Sequence, residues 1–418
     1  MADNKFDIYV YAHWKGMAEP KLIGILSAHF AKGKKAFSFE YDKIWLKSEQ
    51  LQILDPEIQF FSGTQYASEK GNFGIFLDSM PDTWGRTLMK RREAQLAKER
   101  DEKPPFLYDI DYLLGVYDES RMGALRFKTS KDGPFLDDNN QKPTPPWSSV
   151  RELQHAADRL ENDKSNDDLK EWLTILMAPG SSLGGARPKA NILDDNNELW
   201  IAQFPSKNDI FNKGAWEFLS YQLAIGAGIK MAPSKMEKIA ENYHTFFTKR
   251  FDREKKDRIH FASAMTMTGN NEDTIRDNPA SYLEIAEFIQ TNGTMIEENL
   301  QQLWRRIVFN IAISNTDDHL RNHGFILTDE GWILSPAYDL NPSIEKDGLS
   351  LNIDMENNAL DFDLAISVGD FFRLDQTQMN SIVAEVLESV NQWENVADKI
   401  GISRVEKELM SRAFKTHF

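Results

Sequence analysis

The 418-residue chain contains no cysteine, which excludes both a disulfide framework and a thiolate-bound metal. It also has no excess of basic charge. Its 49 Lys and Arg stand against 65 Asp and Glu, a formal −16, and that balance disfavours unaided binding to a phosphate backbone. Long hydrophobic runs are missing as well: no stretch reaches 18 apolar residues without a charge. The opening MADNKFDIYVYAHW has no basic region leading into an apolar one, so a soluble, cytoplasmic protein with no membrane association is expected. What the chain does have is core material. Ten Trp and 26 Phe within a 41% hydrophobic composition rule out wholesale disorder, and the length allows two or three domains.

The first 130 residues read mostly as strands. Asp7 to His13 alternates and is rich in β-formers, and Leu22 to Ser27 and Ala36 to Tyr41 are similar. A helix is expected after Pro81, where Asp82 can cap it and Trp84, Leu88 and Met89 share one face. Asp137 to Pro146 (DDNNQKPTPP) is polar and then proline-rich, and marks a linker. Helical patterns follow at Ser149 to Glu161 and Asp168 to Ala178. Ala190 to Leu193 and Leu199 to Phe204 then form a hairpin around DDNNE. From about Ala215 the helical period dominates, most clearly in Leu300, Leu303, Trp304, Ile307, Val308 and Ile311. A second hairpin spans Phe325 to Leu334, and helices fill the C-terminal part.

The richest polar cluster, Asn315-Thr316-Asp317-Asp318-His319-Leu320-Arg321-Asn322, sits between the apolar helix and that second hairpin. Four residues separate Asp317 from Asn322. This is the spacing of a protein-kinase catalytic loop, in which Asp orients the hydroxyl nucleophile and Asn holds Mg²⁺. After the hairpin comes Ala337-Tyr338-Asp339-Leu340, which puts Asp339 in the place of the second metal-binding carboxylate. Magnesium takes hard oxygen ligands and shares them with phosphates, as an Asn and an Asp allow. Asx residues also form turns and caps, and any one of these alone reads that way. Their order together points to chemistry. His319 and His323 lie four apart, a ligand geometry only on a helix, so they read as structural or loop-ordering groups.

Gly180-Ser181-Ser182-Leu183-Gly184-Gly185-Ala186-Arg187-Pro188-Lys189 is a second cluster. Glycines let backbone N–H groups face a phosphate, and Arg and Lys add charge. Ala186-Arg187 stands where a Walker A loop needs Lys-Ser/Thr, so the stretch alone is weak evidence for phosphate binding, Gly/Ser stretches being usually just loops. The strand Trp200 to Phe204 and the following helix with Glu217 match the strand and glutamate of a kinase N-lobe, but no lysine sits at the expected place.

Taken together, the chain resembles the HipA-like serine/threonine kinases, toxins of bacterial type II toxin–antitoxin modules. The resemblance rests on FSFEYDKIWL, FLDSMPDTWGR and DYLLGVYDESRMGALRF in the first part, and on SSLGGARPKA, LWIAQFPS and TKRFDR in the middle. Near the end it rests on NTDDHLRN and SPAYDL. It implies an α+β, bilobal protein-kinase-like fold with an extra strand-rich N-terminal subdomain and a helical C-lobe. The corresponding division is residues 1–145, 146–252 and 253–418.

By the same resemblance Asp317 is the catalytic aspartate, and Asn322 and Asp339 are Mg²⁺ ligands. Ser182 is the serine autophosphorylated in self-inactivation, with Ser181 beside it, and Leu183, Gly184, Gly185, Ala186 and Arg187 form the phosphate loop with Pro188. Lys249 and Phe251 occupy the adenine-holding hinge. Lys189, Gln203, Glu217 and His319 complete the nucleotide site. ATP and Mg²⁺ would be cofactors. The substrate would be a protein hydroxyl, such as that of an aminoacyl-tRNA synthetase, with growth arrest and persistence following. A HipB-like DNA-binding antitoxin would be the partner, in a two-fold hetero-complex that meets DNA only through the antitoxin.

The chain departs from the family at Gln203, where the family has the lysine that grips ATP phosphates. Attraction between a lysine and a phosphate at ~4 Å is worth about 4 kcal/mol at an effective dielectric near 20, before desolvation. Lys207 and Lys189 are the two candidates left to supply the charge instead. Two other readings stay open. One is an impaired kinase fold that docks the antitoxin as co-repressor. The other is a metal-dependent hydrolase using Asp317, Asp318, His319, His323 and Asp339.

Overall fold

The computed structural model describes residues 4–31, 34–68, 71–81, 83–136, 144–162, 169–180, 185–240 and 243–417. They form two compact units, one drawn from residues 1–208 and 252–262, the other from 209–251 and 263–418.

The first unit is built on an antiparallel sheet. Strands β1 (Asn4–Ala12), β2 (Lys21–Ala31) and β3 (Lys34–Tyr41) form a meander; β4 (Gln65–Tyr66) and β5 (Leu125–Lys128) add its edges, in the order β4-β3-β2-β1-β5. These include the three runs read from the sequence. Successive side chains of a strand point to opposite faces, and one face is apolar here: Ile8, Val10, Leu26, Phe37 and Phe39 are buried. Phe39 meets Phe76 at 5.5 Å between ring centroids, and Phe76 meets Phe127 at 6.2 Å.

Three helices fall within this strand-rich part: α1 (Gly74–Asp78), α2 (Thr83–Glu99) and α3 (Asp109–Leu114). The helix expected after Pro81 is α2, and Trp84, Leu88 and Met89 are all buried on it. Asp82, its expected cap, lies outside the described residues. Further along, α4 (Val150–Asn162) and α5 (Leu169–Gly180) occupy the two helical patterns. The hairpin of β6 (Lys189–Leu193) and β7 (Leu199–Gln203) follows. Asp194 makes its turn: Oδ1 accepts from the N–H groups of Asn196 and Glu198 at 2.9 Å, and Asn197 takes a left-handed φ of 59°.

No unit begins at the expected 145/146 boundary, while the expected 252/253 boundary lies one residue from the change of unit at 251/252. Residues 137–143 of the polar linker lie outside the described residues, but the chain beyond them stays in the first unit. Leu193 N–H donates to the Pro145 carbonyl at 2.9 Å, and the Trp84 indole donates to the Lys189 carbonyl at 2.9 Å. Residues 252–262 return to this unit because their charges are wired into it. Asp252 accepts from Gly123 N–H at 2.8 Å, and Asp118 accepts from Arg126 at 2.6 Å and from Arg258 at 3.0 Å. Linker composition marks a break in regular structure; it carries no information about which body the next segment packs against.

The second unit is mainly helical, as expected. It begins with α6 (Lys213–Gly226), whose cap Asn212 accepts from Ala215 N–H. Strands β8 (Ser234–Glu237) and β9 (Thr245–Lys249) pair antiparallel. Helices α7 (Ala264–Met267), α8 (Glu272–Asp277), α9 (Tyr282–Asn292) and α10 (Ile296–Ala312) come next. The hairpin Gly324–Thr328/Gly331–Leu334 follows, then α11 (Phe362–Ser367), α12 (Gln376–Val390), α13 (Trp393–Ile400) and α14 (Arg404–Met410). At its centre is α10. All six periodic residues from Leu300 to Ile311 are fully buried, each contributing about 1.5–3 kcal/mol. The Trp304 indole donates to the Ala365 carbonyl at 2.9 Å, which satisfies its one polar atom. Among the described residues no helix is long and apolar enough to cross a membrane.

Candidate active site

The polar loop is launched by the way α10 ends. Ser314 adopts a left-handed φ of 51°; its N–H reaches the Ile311 carbonyl at 3.2 Å and the next N–H, of Asn315, reaches the Asn310 carbonyl at 2.8 Å. This is a Schellman termination with serine where glycine is commonest. It turns the chain sharply out of a rigid, buried helix. From Leu303 to Leu320 every residue is buried except Asp317, which is exposed, and His319, which is half-buried. A carboxylate presented alone from a buried segment is suited to meet something from outside.

The residues on either side are held firmly. The Asn315 side-chain N–H donates to Asn310 Oδ1 at 3.1 Å, and Asn310 Nδ2 donates to the Tyr282 hydroxyl at 2.9 Å. That hydroxyl donates to Asp318 Oδ2 at 2.6 Å. Ser350 N–H donates to Asp318 Oδ1 at 2.5 Å, and Ser350 Oγ donates to the Thr316 carbonyl at 2.8 Å. Burial pushes the Asp318 carboxyl up to about 6, against the opposing hydrogen bonds from Tyr282 and Ser350. Asp317, by contrast, has no buried partner; His319 Nε2 lies 4.0 Å from its Oδ1.

Asn322 closes the loop from a single turn of 3-10 helix, Leu320–Asn322. Its Nδ2 donates to the Asp317 carbonyl at 2.6 Å, which fixes the amide so that Oδ1 is the atom left for a cation. Asp339 follows the hairpin in a left-handed turn (φ 56°), and its Oδ1 accepts from Asn341 at 2.9 Å. Tyr338 ties this turn to the loop: its hydroxyl donates to the Arg321 carbonyl at 2.8 Å. Asp317, His319 and Asn322 thus stand on one short loop of the second unit, and the Asp339 turn is tied to that loop through Tyr338. An amide oxygen and a carboxylate are a hard-oxygen donor set, so the residues present fit Mg²⁺.

Phe251 also belongs to this surroundings, with its ring 5.7 Å from that of Tyr338. Lys249 ends β9, and its N–H is taken up by the Pro233 carbonyl at 2.8 Å. Glu217 is buried on α6.

The remaining candidates lie in the first unit. Ser182, Leu183 and Gly184 fall outside the described residues. Gly185 has a φ of 79°, and a Cβ built there would come within 2.7 Å of Lys189 Nζ. Thus the amino group of Lys189 lies directly against Gly185. Ala186 is exposed, and Arg187 donates to the Phe204 carbonyl at 3.2 Å. Lys189 and Gln203 are cross-strand partners in the β6–β7 ladder, so their side chains share a face. Lys207 is engaged elsewhere: its Nζ donates to the Glu161 carbonyl at 2.7 Å.

The five residues of the hydrolase reading do not form an open cluster. Asp318 is turned inward onto Tyr282 and Ser350. His323 is buried with its ring edge-on to Tyr282 at 5.3 Å, and burial lowers its imidazole to about 3. Sequence reasoning missed Tyr282, Asn310, Tyr338 and Ser350 as site residues. Asn310 carried a visible signal, an amide inside the apolar stretch of α10; the others carried none.

A family profile described as the HipA-like C-terminal domain matches residues 181–394, just over half of the chain. Among solved structures the chain is similar to HipA of the Shewanella oneidensis MR-1 toxin–antitoxin system, described in a complex with HipB and its operator DNA. The TM-score is 0.62 at 16% identity, covering 97% of this chain and 94% of that one. It shares that protein's fold, in keeping with the expected α+β class. A weaker likeness, with a TM-score of 0.42 at 13% identity, is to the Helicobacter pylori proinflammatory kinase CtkA, over 54% of this chain and 88% of that one. No curated protein matches the chain.

Proposed function

The chain belongs to the HipA-like family through its C-terminal domain, and on that footing we propose that it is a serine/threonine protein kinase acting as the toxin of a toxin–antitoxin module. The observation that carries this reading is the presentation of Asp317. It is the one exposed residue of a buried segment, with Asn322 bonded to its carbonyl and the Asp339 turn tied to the same loop.

In this reading Asp317 orients a serine or threonine hydroxyl and accepts its proton. The hydroxyl oxygen bonds to the γ-phosphorus of ATP as the bond from that phosphorus to the bridging oxygen breaks, and ADP leaves. Asn322 Oδ1 and the Asp339 carboxylate would hold Mg²⁺, which supplies neutralisation of the phosphate charge. His319 lies beside Asp317, where it can contact the nucleotide. Phe251, whose ring lies against Tyr338, would belong to the hinge that takes adenine, and Lys249 would contribute through atoms other than its N–H. Gly185, Ala186 and Arg187, with Ser182, Leu183 and Gly184, would cradle phosphates.

Lys189 supplies the cation that Gln203 lacks. Its cross-strand position opposite Gln203 and its amino group against Gly185 support this, while the engagement of Lys207 with Glu161 argues against that alternative. Glu217 would serve from α6 as the acidic partner of the nucleotide site. Autophosphorylation at Ser182 would silence the enzyme. The substrate would be a protein, such as an aminoacyl-tRNA synthetase. A HipB-like antitoxin would be the partner, as HipB is for the Shewanella protein, with DNA met through it in a two-fold assembly.

Asp317→Asn should abolish phosphoryl transfer by at least about 10²-fold while Mg·ATP binding persists. Undiminished transfer in that variant would overturn the assignment. Gln203 favours one second reading, an impaired kinase fold acting mainly as antitoxin-binding co-repressor. It predicts antitoxin and operator binding without transfer, even in the presence of Mg·ATP.

A further inference from the structure

The buried partners of the loop form a chain with a fixed direction. Asn315 donates to Asn310, Asn310 donates to Tyr282, and Tyr282 donates to Asp318. The chain ends on a carboxylate, whose other oxygen accepts from Ser350 N–H. A carboxylate accepts only, so Tyr282 must donate to it, which leaves the tyrosine oxygen to receive the Asn310 amide. That in turn sets Asn310 Oδ1 toward Asn315. No member can reverse without leaving a buried donor unpaired.

The two ends of the chain, Asn315 and Asp318, stand on either side of Asp317. Ser350 closes the arrangement by holding the Thr316 carbonyl through Oγ and the Asp318 carboxylate through N–H. The residues immediately before and after Asp317 are therefore pinned by the same serine. Asp317 itself contributes nothing to the network and points outward.

We infer that Tyr282, Asn310, Asp318 and Ser350 form a positioning device that fixes the direction of the Asp317 carboxylate. None of the four is a catalytic residue. The inference rests on the phosphoryl-transfer reading for its effect on rate, but its structural content is independent of that reading. Burying Asn310, Asn315, Tyr282 and Asp318 costs more than an apolar core of the same shape, and a fully paired network of this kind fixes orientation.

Two variants test it in the full-length chain. Tyr282→Phe keeps the ring against His323 and removes one oxygen, cutting the chain at its middle. Ser350→Ala removes only the bond to the Thr316 carbonyl, from a half-buried position where folding is not at risk. Hydrogen exchange over residues 314–323, thermal unfolding, and the steady-state constants for Mg·ATP and a protein substrate would be measured for both. The expected result is exchange at least tenfold faster in that segment alone. With it, kcat should fall roughly ten- to hundredfold in Tyr282→Phe and less in Ser350→Ala, with KM for ATP within about twofold. Two results would overturn the inference: unchanged exchange in both variants, or faster exchange with unchanged kcat. A KM rise at constant kcat would overturn it as well, since that is a binding defect. Should the unmodified chain transfer no phosphoryl group, the kinase reading fails by itself, and exchange alone decides whether the device holds the loop.

Discussion

Replacing Lys189 by methionine keeps most of the apolar stem of the side chain and removes the terminal ammonium group with its charge. Lys189 stands directly across the ladder from Gln203, and cross-strand neighbours have Cβ atoms about 5 Å apart, so a long side chain from either position reaches the same space. Its Nζ lies within 2.7 Å of where a Gly185 Cβ would be. A cation about 4 Å from a phosphate gains about 4 kcal/mol at an effective dielectric near 20. With about half of that surviving desolvation, some 2 kcal/mol remains, or roughly thirtyfold in the KM for Mg·ATP. Lys189→Met should therefore raise that KM roughly thirtyfold. Adding Gln203→Lys to the same chain should restore most of it, whereas Lys207→Met should change it by less than about twofold. With Gln203→Lys alone as the remaining corner of the cycle, a phosphoryl-transfer assay, with Mg·ATP binding measured by calorimetry, isolates the coupling between the two ladder positions. If the double variant is no better than Lys189→Met, the two positions do not share a function and the substitution argument is refuted.

Two further outcomes concern stability. Asp118 accepts from Arg126 and Arg258, and although burial alone would raise its carboxyl, these two arginines hold it below the usual range. Asp118→Ala leaves the buried Arg258 and the half-buried Arg126 without it and should cost about 3–5 kcal/mol in denaturant unfolding; a loss under about 1 kcal/mol would show the network to be dispensable. His260 is buried against Trp14, with ring centroids 5.5 Å apart, and burial lowers its imidazole to about 3. Between the ordinary histidine range and pH 3 the unfolded chain binds a proton that the folded chain refuses, so stability falls as pH falls. From pH 6.5 to 5 this amounts to about 2 kcal/mol, and His260→Phe should lose that much less than the unmodified chain over the same interval. Parallel loss in both would contradict the assignment.

Much of this arrangement was legible in the sequence because its signals are local. The spacing of Asp317 and Asn322, the apolar period of α10 and the DDNNE turn are each contained within a short stretch, and the helix and the turn form where expected. What could not be read is what distant segments do to one another. Tyr282 and Ser350 lie more than thirty residues on either side of Asp318, and nothing in their surroundings marks a hydroxyl or an N–H aimed at a carboxylate. Asp317 and Asp318 are the same residue type one position apart, yet one is exposed and the other buried. The alternation comes from the Schellman turn at Ser314 and the partners beneath it, so a reading that grouped both as ligands could not separate them. The same limit applies to the linker, whose composition was clear while the body it leads into was not.

The central claim is that Asp317 serves phosphoryl transfer, and the most direct test is the intact mass of the purified chain with and without Mg·ATP, with peptide mapping, beside Asp317→Asn. The account predicts one added phosphoryl group, mapped to Ser182, in the unmodified chain and none in the variant. An unmodified chain that binds Mg·ATP yet stays unlabelled, with no transfer to any added protein, would contradict it.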